Sequence, residues 1–173
     1  SSSGSQSSGD PTVSLVPGDY KLTIQASGGN TGNYAFRFVN LVDSSLLSPG
    51  TLITNTFSPA NRTAFYQFTG SAGDRFFFDQ TARVSLPSAY WRLFDRFGNQ
   101  IFSQGVSDVG SPGAPVTVPV TGSYFLVVEG NTGDSGSGSY SFVVTPEGNT
   151  PPVPFNGTPI NLGDLIAGQF TAN

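Results

Sequence analysis

The chain has 173 residues, 36% of them hydrophobic and 13% aromatic, enough for one substantial core or two small ones. Seven basic against eleven acidic residues give a net charge of −4, which supplies no basic footprint for nucleic acid or anionic lipid. There is no cysteine for a disulfide framework, and no apolar run approaches the roughly 20 residues that cross a bilayer, so neither nucleic acid binding nor membrane insertion is expected.

In chain order, the first nine residues are Ser/Gly-rich and read as a flexible loop. From Gly18, GDYKLTIQASGGNTGNYAFRF reads as a hairpin. Tyr20, Leu22 and Ile24 alternate with polar residues, then Tyr34, Phe36 and Phe38 do the same across a Gly/Asn-rich turn. The same alternation predicts strands over Leu52 to Phe57, Ala64 to Thr69, Arg75 to Asp79, Tyr90 to Asp95, Gln100 to Phe102, Val116 to Val120, Tyr124 to Glu129 and Tyr140 to Val144. No segment has a helical period. Many short strands with turn signals about every ten residues predict an all-β fold, an antiparallel β-sandwich or jelly roll. Trp91, Leu93, Tyr124, Leu126, Tyr140 and Phe142 sit on the repeated apolar faces and are expected to share its core.

The hairpin is written twice. Tyr20 answers to Tyr124 at an offset of 104, Tyr34 to Tyr140 at 106, and GTLITNTF from Gly50 is echoed as GDLIAGQF from Gly163 at 113. A period a little over a hundred residues is too long for a solenoid and suits a whole domain in tandem. The expected organisation is a partial repeat over 1–45 holding the last three strands of a module, a complete module over 46–146, and over 147–173 a linker with the first strand of a following repeat. The three N-terminal strands are expected to form a sheet open on one face. Without any Met or a basic-then-apolar leader, the sequence is expected to be a processed or excised piece of a longer one.

FYQFTGSAGDRFFFD from Phe65, WRLFDRFGNQIF from Trp91, PVTGSYFLVVEG from Pro119 and GSYSFVV from Gly138 resemble the bacterial pre-peptidase C-terminal domain family. That resemblance implies secreted β-sandwich modules, often in tandem in surface proteins or appended to exported peptidases, and related to the collagen-binding modules of clostridial collagenases. It implies an extracellular or cell-surface location, which the Ser, Thr, Asn and Gly-based polarity also suits.

Chemistry is sparse. Gly133-Asp134-Ser135-Gly136 looks like a protease nucleophile loop, yet the chain has no His and one Lys, so Ser135 lacks a base. The aligned Gly29-Asn30-Thr31-Gly32 keeps the turn and loses the serine. Asp74, Asp79, Asp95, Asp108 and Glu129 are candidates for a glycosidase pair, but each reads better as a turn residue or strand end. No enzyme is expected. Calcium is the one cofactor raised, because related collagen-binding modules carry it and because Asp10, Asp108 and Asp134 sit among Asn/Gly loops rich in oxygen ligands. Phe76-Phe77-Phe78 and Tyr90-Trp91 must each turn a ring away from the core, a platform for a sugar or a collagen-like strand or a surface buried against a neighbouring module.

Two functions remain open on sequence. One is a non-catalytic structural module whose partners are copies of itself or neighbouring repeats, assembling head to tail by strand addition; Leu165, Ile166 and Phe170 would be the donor, and Tyr20, Leu22, Ile24, Tyr34, Phe36 and Phe38 the acceptor. The other is a carbohydrate- or collagen-binding accessory module of an exported enzyme.

Overall fold

The computed structural model describes residues 15–26, 28–34, 40–131, 133–154 and 156–168. Among these residues, nine strands form two stacked sheets: β1 (Ser45–Leu46), β2 (Ile53–Phe57), β3 (Thr63–Gly70), β4 (Asp74–Val84), β5 (Tyr90–Asp95), β6 (Gln100–Gly105), β7 (Val116–Thr117), β8 (Gly122–Glu129) and β9 (Gly138–Asn149). One sheet runs β1-β3-β8-β5-β6 and the other β2-β9-β4-β7. All pairs are antiparallel except β1 with β3, which is parallel. The chain is an all-β sandwich, and its only helical element among the described residues is a 3₁₀ turn, Leu41–Asp43.

Alternation builds the core. On β5, Trp91 and Leu93 face inward; on β8, Tyr124, Leu126 and Val128 do; on β9, Tyr140, Phe142 and Val144 do, and all are buried together as expected. Rings meet edge to face across the two sheets, Phe68 with Phe76 at 5.1 Å, Tyr66 with Phe142 at 5.5 Å and Trp91 with Phe142 at 5.8 Å. Such pairs add about 0.5–1.5 kcal/mol each beyond the area they bury. The Tyr124 hydroxyl donates to the Val120 carbonyl at 2.5 Å, tying the strand to the corner that precedes it.

The pairing corrects the hairpin. β8 lies between β3 and β5 in one sheet, and β9 lies between β2 and β4 in the other, so the Gly/Asn loop joining them crosses from sheet to sheet. β7 pairs with β4 alone, so the last three strands of the module do not pair with one another. The strands expected from 18 to 34 are not formed among the described residues, every one of which is exposed. Likewise residues 163–168, expected within a strand, form none and are exposed. Phe36, Phe38 and Phe170 lie outside the described residues.

Candidate functional site

Four of the aspartates are held by hydrogen bonds within their turns or to a neighbouring strand. Asp95 accepts the Phe97 and Asn99 amides at 2.8 and 2.9 Å and the Asn99 side chain at 2.9 Å. Asp74 accepts the Ser71 amide and the Asn149 side chain, each at 2.7 Å, which together lower its pKa. Asp108 accepts the Gln80 amide at 2.9 Å, and Asp134 the Asn131 amide at 3.2 Å. The Ser135 loop is therefore a turn, and Gly136 ties it to the β2–β3 connection through its carbonyl and the Ala60 amide at 2.9 Å. Asp10 lies outside the described residues. Among those described, no three His, Cys, Asp or Glu side chains converge as metal ligands would. Asp108 thus reaches across to β4, whereas Asp134 closes its own turn.

Glu129 is a different kind of carboxylate. It ends β8 on the face opposite Leu126 and Val128, as expected, and it is only 3% exposed. Its Oε2 lies 3.3 Å from Nε of Arg92 on the adjacent β5. Burial pushes its pKa up to about 7, with the Arg92 charge opposing that rise. Sequence could not show this pair, since it depends on β5 and β8 being neighbours.

The aromatic platform does not assemble. Phe76 and Phe78 point inward and Phe77 outward on β4, while Trp91 points inward and Tyr90 outward on β5. β4 and β5 belong to different sheets, so Phe77 and Tyr90 face opposite sides of the sandwich.

Two features remain. The first is a groove of about 750 Å³ between the short edge strand β1 and the edge strand β2, lined among others by Ser45, Leu46, Leu52, Asn55 and Phe65. Near it the Asn55 amide donates to the hydroxyls of Tyr66 and Tyr140 at 3.1 and 3.2 Å, and those hydroxyls lie 2.7 Å apart.

The second feature is at the ends of the chain, where local geometry of the module recurs. The Tyr20 hydroxyl donates to the Val16 carbonyl at 2.5 Å, the same corner that Tyr124 makes with Val120 at 2.5 Å. The Asp164 amide donates to the Asn161 carbonyl at 3.1 Å with Gly163 at φ 96°, and the Thr51 amide donates to the Ser48 carbonyl at 3.1 Å with Gly50 at φ 86°. Burial, by contrast, is reversed: Tyr20, Leu22, Ile24 and Tyr34 are 45–70% exposed, while Tyr124, Leu126, Val128 and Tyr140 are at most 2% exposed. Leu165 and Ile166 are 95% and 63% exposed.

Among solved structures, the pre-peptidase C-terminal domain of a collagenase from Bacillus anthracis is similar at 17% identity and a TM-score of 0.41, over 60% of this chain and 95% of that one. A periplasmic inhibitor of g-type lysozyme, PliG of Aeromonas hydrophila, is similar at 12% identity and a TM-score of 0.42, over 59% of this chain and 96% of that one. The PliG of Salmonella Typhimurium is similar at 13% identity and 0.42, over 59% and 98%. No protein-family model and no curated protein matches the chain. At these values the likeness transfers no activity, ligand or partner to this chain.

Proposed function

We propose that the chain is a non-catalytic structural module of a secreted or cell-surface repeat protein, a member of the pre-peptidase C-terminal kind, organised as 1–45, 46–146 and 147–173. Its copies assemble head to tail into an extracellular filament by β-strand addition. The observation that supports this reading is the mismatch at the ends, where module-like corners and turns carry apolar residues whose counterparts are buried. Burying one such side chain stabilises by about 1.5–3 kcal/mol, so the segments favour any partner that completes them. A contact between different surfaces of identical chains propagates unless it closes into a ring. Negative-stain microscopy and sedimentation test it: the full chain forms filaments, and deletion of residues 163–173 abolishes them while the sandwich melts as before. A full chain that stays monomeric at high concentration overturns the proposal.

The β1–β2 groove, with hydroxyl and amide groups beside Leu46, Leu52 and Phe65, favours a second reading as a carbohydrate- or collagen-binding accessory module. Calorimetric titration with oligosaccharides and a triple-helical peptide tests it. Saturable heat that Thr54→Arg removes supports ligand binding, and flat titrations reject it.

A further inference from the structure

We infer that the β1–β2 groove takes an extended peptide bearing a basic side chain, which pairs as an added strand with the Thr54 edge of β2. This rests on the reading of the groove as a ligand site and names polypeptide, rather than carbohydrate, as what it holds.

The backbone of β2 is turned so that its open edge meets the groove. Bonding directions alternate along an antiparallel strand. The Val144 carbonyl accepts the Gly50 amide at 2.8 Å, so Val144, Phe142 and Tyr140 direct their backbone groups towards β2. Their partners Ile53 and Asn55 direct theirs to β9, and Thr54 and Thr56 turn theirs outward. Among the described residues β2 has no second neighbouring strand. The outward amide of Thr56 is held at 2.7 Å by the Asn55 side-chain oxygen. Thr54, which lines the groove, keeps its N–H and C=O open, and one residue of a facing strand matches that pair in spacing and direction. The Asn55 cap one step further on limits the added strand to a short one, so the edge does not recruit a longer sheet.

The wall of the groove asks for an acceptor. Asn55 uses both hydrogens of its amide nitrogen on the Tyr66 and Tyr140 hydroxyls. Those hydroxyls lie 2.7 Å apart and share one of their own two hydrogens. The other has no acceptor among the described residues. Tyr140 is 2% exposed, whereas Tyr66 lines the groove, so Tyr140 donates to Tyr66 and the Tyr66 hydrogen is left for a ligand. A residue paired with Thr54 points its side chain outward as Thr54 does, which turns the side chains before and after it into the groove. The one beside Asn55 meets the Tyr66 hydroxyl. Asp43 is exposed and is the one charged residue lining the groove, in a chain of net charge −4, so a cationic side chain complements it.

A phage library of random heptapeptides, panned on the full chain, tests this, with enriched sequences remade as synthetic peptides for fluorescence anisotropy. Basic peptides that bind saturably are expected. N-methylation of alternate residues abolishes binding in one phase and spares it in the other, because only residues facing Thr54 bond to β2. Tyr66→Phe weakens binding by about threefold to tenfold, the worth of one hydrogen bond. Thr54→Pro, which removes an outward amide that an edge strand tolerates losing, weakens it at least as much while the melting temperature is kept. No enriched peptide, equal binding in both N-methylation phases, or equal binding to a folded Thr54→Pro overturns the inference. The N-methylation comparison uses the unaltered chain and decides the matter even where Thr54→Pro does not fold. Oligosaccharide binding that Thr54→Arg removes, with no peptide binding, overturns the peptide assignment and leaves the groove reading standing. Failure of peptides and oligosaccharides alike overturns both.

Discussion

The Glu129 carboxyl shows how a residue's meaning depends on its neighbours in the fold. In the unfolded chain it titrates near 4.5; folded, burial raises that to about 7 despite Arg92 at 3.3 Å. Between these values the folded state holds a proton that the unfolded state has released, so stability falls as pH rises across that window. Asp74 has the opposite sign. Its pKa is lowered by the Ser71 amide and the Asn149 side chain, so its contribution is present above the unfolded value and is lost on acidification. Thermal melts across this range check the two effects: the melting temperature declines from pH 5 to pH 8, and Glu129→Gln removes that decline while leaving the acid limb in place. A decline of unchanged size in Glu129→Gln would contradict the assignment. The pair was invisible in the sequence, where Arg92 and Glu129 stand in separate apolar runs and nothing marks them as adjacent. Trp91 and Tyr124 were legible, because alternation alone assigns a side chain to a face.

At the scale of elements, periodicity located strands but could not say which of them pair. Tyr90 to Asp95 was legible to the residue. β1 was not, since two residues carry no period, and β4 runs on through Gln80–Val84, where no apolar alternation announces it. The error with most consequence was the hairpin. A Gly/Asn loop between two alternating runs is the usual sign of one, yet this loop passes from one sheet to the other over the β2–β3 connection. Gly130 makes the crossing possible: a Cβ there would lie 1.8 Å from the Ala60 carbonyl oxygen, and its own amide donates to Arg62 at 2.7 Å. Gly130→Ala should destabilise by about 1–3 kcal/mol or more, as overpacking does. Gly105→Ala should be nearly neutral, since its nearest neighbour would be 3.9 Å away. Denaturant melts of the two variants compare them directly, and equal midpoints would mean that the close crossing is misplaced.

For the whole molecule, the repeat was the most informative feature of the sequence, and a corner and a turn of the sandwich recur in the flanking segments. The described apolar residues of those segments stand exposed. The candidate site was legible only as a list of such residues; which could meet depended on the sheet order, which no periodicity encodes. The account's central claim is that these segments become strands when copies meet. Hydrogen exchange on dilute and concentrated samples measures this most directly. It predicts that the amides of residues 30–34 and 165–168 exchange freely when dilute and become protected on concentration, while β3, β8 and β9 are protected throughout. Free exchange of both segments at every concentration would contradict it.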